Sequence, residues 1–489
     1  MRRTPHRQPH QTAARPRAER VRTMKPSTTL KTSTALLAAA ALAGCMQLAP
    51  RYERPAAPVP AAFPNATSVP SGAAAAADLA WQDYFADPAL RGLIELALKN
   101  NRDLRIAVLN IDSVRAQYEL RRADQLPTVN AGLTANRQTD SSGSAVGTYT
   151  AGLSVAAYEL DLFGRVRSLT DTAAAQLLST EEARKAVQIS LVASVSNQYL
   201  ALAADDELLN LTQRTLSTRE ESLKLTQLRF DNGAASELDL RQAQTLTEAA
   251  RVALAQARRQ RELDRNALAL LVGQALPELP SGAGRIDAMT LADVPAGVPS
   301  EVLLGRPDVR QAEQQLVAAN ANIGAARAAF WPRITLTASA GTASTQLSDL
   351  FKDGAWSFAA QLLQPIFDAG RNRANLAVAE AQRDIAVAQY ERAIQAAFRD
   401  VADALAGRAT LDDQLRSTRA QADAEQARYD LSDLRYRNGV SSSLELLDAQ
   451  RSLFTARQAV VQTQLAVLQN RVAVYRALGG GYASTASSR

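Results

Sequence analysis

Two hydrophobic periodicities alternate along the chain. Glycine is absent from Arg165 to Asn232, and only Gly407 interrupts the stretch from Arg371 to Asn438. Proline is absent between Pro127 and Pro277 and again after Pro365. Both stretches keep apolar side chains at helical spacing, as in Leu191, Val195 and Leu202. Sixty-eight helical residues at ~1.5 Å each reach roughly 100 Å, too long for an ordinary globular domain. Returning helices are predicted from about Ser236 to Leu271 and from Ser442 to Leu478, and shorter ones over Asp87–Lys99 and Asp103–Ala123.

Before each long helix the period changes to two. Val129, Ala131, Leu133 and Ala135 alternate with Thr128, Asn130, Thr134 and Asn136, and a second run follows over Thr148–Ala157. Ile334–Ala340 and Trp356–Leu362 repeat the texture in the second half. The pattern predicts four strands of about ten residues, paired through polar loops at Gln138–Gly147 and Thr342–Gly354. Tyr149, Tyr158, Trp331, Trp356 and Phe367 stand near their ends. Alternating strands with flanking aromatics suit an outer-membrane barrel, and a soluble hairpin sheet gives the same alternation. Four strands cannot close around a lumen, so a barrel would be shared, with eight strands from two chains or twelve from three.

The two halves also share a motif. Leu228–Gln244 returns 206 positions later as Leu434–Gln450, without a gap and with nine of seventeen residues identical. Each copy reads as a turn between helices: Asn232-Gly233 and Asn438-Gly439 supply a left-handed helix end. A serine follows as N-cap, and Ser442 with Glu445 spells a capping box.

Composition fits this reading. Hydrophobic residues make up 46% but aromatics only 5%, which suits long packed helices. The formal charge of +6 suggests an affinity for polyanions, but residues 1–44 hold nine Lys/Arg and one acid. The remainder carries 46 basic and 48 acidic residues, and the case for nucleic acid disappears. Met24-Lys25 opens a secretory leader with an apolar run from Ala35 to Ala43, so the natural start is expected at Met24. It ends in Leu42-Ala43-Gly44-Cys45, which resembles a bacterial lipobox and marks Cys45 for lipidation. The signal is expected over 1–44, and a Pro/Ala-rich tethered arm over 45–80. Two structural repeats are expected at 81–272 and 304–480, separated by a crossover at 273–303 and followed by a disordered tail at 481–489. No segment has the eighteen or so consecutive apolar residues of a membrane helix, leaving strands to make any crossing.

Several motifs in order give the chain a family resemblance. They are the Cys45 lipobox, Tyr52-Glu53-Arg54-Pro55, Trp81 through Asp87-Pro88, and Gly305-Arg306-Pro307-Asp308-Val309. Phe330-Trp331-Pro332, Gly370-Arg371 and Leu447-Asp448-Ala449-Gln450-Arg451-Ser452-Leu453 follow. The chain resembles the TolC-type outer-membrane efflux channels, and among them the NodT/OprM-like efflux lipoproteins. That resemblance implies a mixed α+β membrane protein: a helical coiled-coil barrel continued by a trimeric, 12-stranded transmembrane β-barrel with four strands per subunit. It implies a homotrimer in outer-membrane lipid, working with a periplasmic adaptor and an inner-membrane resistance-nodulation-division pump. Leu444 and Asp448 match the family's periplasmic gate, and Arg435 and Tyr436 match residues that hold it shut. The turns at Asn232, Gly233, Asn438 and Gly439 become the tips that meet the adaptor. Leu444 and Asp448 share a helix face, so three copies would stack an apolar constriction on an anionic ring. Gln242 replaces the acid in the first copy.

Other classes fit less well. The only histidines, His6 and His10, lie in the leader, and Cys45 is the only cysteine. That removes imidazole acid–base chemistry, thiol nucleophiles and the usual transition-metal ligands, and no cofactor or metal is expected. A lipid-anchored periplasmic coiled-coil adaptor explains the helices and leaves the strands unexplained. A duct for metal ions or secreted proteins shares the architecture.

Overall fold

A computed structural model describes residues 47–64, 79–139, 141–278, 286–292 and 300–482. The expected leader, Cys45 and residues 483–489 of the tail lie outside the described residues. Helices α1 (Trp81–Tyr84), α2 (Pro88–Asn100) and α3 (Arg102–Ala123) lead into strands β1 (Val129–Thr139) and β2 (Ala145–Leu160). Helices α4 (Arg165–Asp231) and α5 (Glu237–Val272) form the first long hairpin. After a 3-10 turn at Ser300–Gly305 come α6 (Pro307–Ala328), β3 (Arg333–Ser344) and β4 (Gly354–Leu363). The second hairpin is α7 (Arg371–Arg437) and α8 (Ser443–Ala477).

Both α4 and α7 run for 67 residues, close to the length expected from glycine and proline placement. Neither has a capping side chain at its N-cap glycine. Nearby carboxylates satisfy the first turn instead. Asp161 accepts from the Arg167 N–H at 2.7 Å, and Asp368 from Gly370 and Asn372 at 3.0 and 2.9 Å. Gly407, the only glycine inside α7, is explained by packing. A Cβ there would sit 2.2 Å from the amide nitrogen of Asn470 on α8, which donates to the Ala404 carbonyl at 3.1 Å.

The core lies around the middle of the long helices. Trp81, Tyr84, Phe85, Leu90, Leu93 and Ile94 pack against Val195, Tyr199 and Leu200 of α4, Leu268 and Val272 of α5, Tyr390, Ile394 and Val401 of α7, and Val472 and Tyr475 of α8. Tyr84 and Tyr475 stack at 4.0 Å, and each hydroxyl closes on a backbone carbonyl, Arg471 at 2.8 Å and Leu79 at 2.7 Å. The arm from Gln47 onward lies along α6. Arg54 grips Glu313 with two bonds of 2.7 and 3.1 Å, the Tyr52 hydroxyl donates to the same carboxylate at 3.1 Å, and Asn320 donates to the Pro50 carbonyl at 2.7 Å. The Tyr52–Pro55 motif is therefore a clasp on the helix.

The four strands make one antiparallel sheet in the order β1-β2-β3-β4. Its register pairs Val129 with Val155, Ser154 with Ser339 and Ala340 with Trp356, with a bulge between Val155 and Tyr158. The strands run from 10 to 16 residues, longer on average than the periodicity suggested. The expected loop at Gln138–Gly147 shrinks because Thr139 pairs with Ala145, and the second loop begins only after Ser344. Polar residues such as Arg137 and Gln138 remain on the ladder, paired with Gly147 and Val146, and no other described element covers the edge strands. Every residue of β1 and β4 is exposed, apolar ones included: Leu133, Trp356 and Phe358 at 69, 81 and 63%.

Candidate functional site at the hairpin tips

Both tips end their long helix in the same way. At the first, Ala234 N–H reaches Arg229 C=O at 2.7 Å and Gly233 N–H reaches Phe230 C=O at 2.9 Å. At the second, Val440 N–H reaches Arg435 at 2.9 Å and Gly439 N–H reaches Tyr436 at 3.0 Å. These are paired Schellman closures, with Gly233 at φ +70° and Gly439 at φ +71°. Asn232 and Asn438 each fold their side-chain amide onto a further carbonyl, Leu228 and Leu434, at 2.7 Å. The sequence expectation of left-handed glycine turns holds at both positions.

The capping box falls in the other copy. Ser236 and Asp239 cap α5 reciprocally, whereas Ser442 makes no capping bond with its side chain. Glu445 is drawn instead toward Arg435, 3.6 Å away, and the neighbouring Ser443 hydroxyl donates to Asp239 of the first tip. Asp239 thus caps its own helix and ties the two tips together. Its bonds from Ser236 and Ser443 hold its carboxyl below the usual carboxylate range. A second tie runs beside it: the Arg229 guanidinium lies 4.6 Å over the Tyr436 ring.

Leu444 and Asp448 share a face of α8, and Leu444 is 61% exposed. Asp448 is not the bare acid that its sequence neighbourhood suggests. Arg428 of α7 and Arg451 of α8 both bond its carboxylate and hold its carboxyl below the usual carboxylate range, Arg428 contributing most. Within one chain the ring position therefore carries an Arg–Asp–Arg clamp. Arg451 stands three residues away and was visible as a helical neighbour; Arg428 lies twenty residues back on the other helix, and the sequence alone gave no signal of it. Among the described residues no cluster of His, Cys, Asp or Glu has the makings of a metal site.

Comparison with known proteins places these features in a family. The family model described as "Outer membrane efflux protein" matches residues 93–274 and 298–480. The probable efflux pump outer membrane protein TtgC of Pseudomonas putida strain KT2440 is 48% identical over 90% of this chain and 93% of its own. Outer membrane protein OprJ of Pseudomonas aeruginosa is 46% identical, covering 90% and 94%. Among solved structures, the open state of the Neisseria gonorrhoeae MtrE outer membrane channel superposes with a TM-score of 0.82 at 43% identity, covering 89% of this chain and 98% of that one. The long double hairpin, the open sheet and the paired tips are those of an outer membrane protein, and the chain belongs to the outer membrane efflux protein family.

Proposed function

We propose that this chain is the exit duct of a tripartite efflux pump, conducting small molecules passively from an inner-membrane pump to the outside. One observation carries the reading: a sheet whose edge strands are, among the described residues, unpaired on their outer side and exposed along their whole length, attached to helices of 67 residues. Unpaired strand edges in lipid cost several kcal/mol per group, so the sheet has to meet further sheets. With four antiparallel strands, β4 of one copy joins β1 of the next antiparallel, and copies close head to tail. In a homotrimer the result is a 12-stranded barrel, and the strands, at 10 to 16 residues, are long enough for the ~9–11 that span the apolar layer. The helices of 81–272 and 304–480 act as two repeats of a tunnel wall, with 273–303 crossing between them. Cys45 anchors the arm in the outer membrane. The tips, which expose Leu228, Leu434, Leu238 and Val440, face a periplasmic adaptor. Leu444 narrows the tunnel, and the clamp at Asp448 with the ties at Arg435 and Tyr436 keeps it narrow.

The test is planar-bilayer conductance of the detergent-purified, lipidated protein. The wild type should show a low-conductance pore, and Leu444→Ala with Asp448→Ala a larger one from the same oligomer. Unchanged conductance in a correctly assembled double variant would refute closure at these residues.

A further inference from the structure

Some 13 residues back from the first tip, ~20 Å along α4, a cleft opens between the two hairpins. Its volume is about 110 Å³, room for several waters or a small ion. Arg214, Thr218 and Arg219 of α4 line one side; Gln450, Phe454 and Arg457 of α8 line the other. Tyr429 and Gln426 of α7 close the end.

The lining contains two orphans. Arg219 is only 5% exposed, lies 5.4 Å over the Phe454 ring and donates from Nη1 to the Leu246 carbonyl at 2.9 Å, yet its Nε–H has no partner. Among the described residues no carboxylate offsets it, and burial lowers its pKa. Gln450 is 8% exposed, and its Oε1 lacks a donor. A buried polar group left without a partner is costly, so both call for an occupant. An occupant that meets both must accept from Arg219 and donate to Gln450. Water does both but leaves the charge uncompensated, and the rim adds Arg214 and Arg457 with no acid among the lining residues. Arg214 is held by Glu207 at 3.3 Å and Arg457 by the Gln426 amide, so both are positioned at the mouth.

We propose that this cleft binds a small oxyanion that carries an O–H, of the hydrogen-phosphate class. The anionic oxygens take the arginine donors and the hydroxyl serves Gln450 Oε1. Bound there, the anion joins α4 of the first hairpin to α8 of the second and opposes their separation near the tips.

Isothermal titration of inorganic phosphate into the detergent-purified full chain, at pH 7.5 and fixed ionic strength, tests this against sulfate. Sulfate matches the shape but has no hydroxyl at that pH. Saturable phosphate binding at one site per chain is expected, with sulfate at least tenfold weaker. Arg219→Met should weaken phosphate at least tenfold, and the exposed Arg457→Gln severalfold. Gln450→Leu should erase the preference for phosphate over sulfate. Equal binding of the two anions by the wild type, or no saturable binding, overturns the proposal. If Arg219→Met fails to fold, wild-type affinity in Arg457→Gln together with retained preference in Gln450→Leu overturns it as well.

Discussion

Replacing Gly407 by alanine sets two effects of opposite sign against each other. In an isolated helix the change stabilises by about 0.8–1.0 kcal/mol, because glycine has the larger backbone entropy to lose. Here the new Cβ would stand 2.2 Å from Asn470 Nδ2, 2.8 Å from its Cγ and 3.3 Å from its Oδ1. Overpacking of this kind costs ~1–3 kcal/mol. Moving the amide also breaks its bond to the Ala404 carbonyl, worth ~0.5–1.5 kcal/mol. Gly407→Ala should therefore destabilise by roughly 0.5–3.5 kcal/mol net of the helix gain. Combining it with Asn470→Ala removes the clash, keeps the helix gain and should return stability to near the wild-type value. The assay is thermal loss of helical circular dichroism at one scan rate, with a heat-modifiable gel shift as a second readout. A Gly407→Ala protein that melts at or above the wild type, or a double variant no better than the single one, would sink the account of why α7 tolerates a glycine.

Two further outcomes follow from charge. Arg428→Ala should raise single-channel conductance or its open fraction severalfold, as Asp448→Ala should, because either removes the Arg428–Asp448 bond between α7 and α8. If Arg428→Ala instead tightens closure by exposing a cation-binding acid ring, the clamp is wrong. Asp205 on α4 is raised from 3.8 to about 7, first by burial and then by its bond and charge interaction with Asp264 on α5. The folded protein then holds a proton that the unfolded chain has lost between about pH 4 and 7, so stability should fall as pH rises across that window and level off above it. At ~1.36 kcal/mol per pH unit the ceiling is about 4 kcal/mol, and Asp205→Asn should flatten the slope in melts from pH 4.5 to 8.

Much of the architecture was legible because its signals are local. The gap between Pro127 and Pro277 and the glycines at 164, 233, 370 and 439 bracket the helices, and alternation at Val129–Ala135 marks a strand without reference to any partner. The tip turns were readable for the same reason, since Asn-Gly dictates its own closure. What escaped involves partners far apart in sequence. Ser442 and Glu445 spell a capping box, but Arg435 and Asp239 compete for that turn. Arg428 reaches Asp448, and Asn470 fills the space above Gly407, through helix pairing that periodicity does not describe. The resemblance pointed to Asp448 as a gate acid; Arg451 is an i+3 neighbour on the same helix, while Arg428 joins it only through three-dimensional placement.

The uncovered four-stranded sheet has a consequence for biogenesis. The helical hairpins join residues close in sequence and can form early, in water, within a single newly exported chain. The sheet cannot mature on that schedule: its edges are templates for pairing and its faces offer Leu133, Trp356 and Phe358 to any apolar neighbour. In the proposed assembly each chain passes through an interval in which its helical hairpins are formed and its sheet is still unpaired at both edges. If the sheet closes only against other copies, as proposed, insertion is a step of higher kinetic order than folding and is steep in subunit concentration.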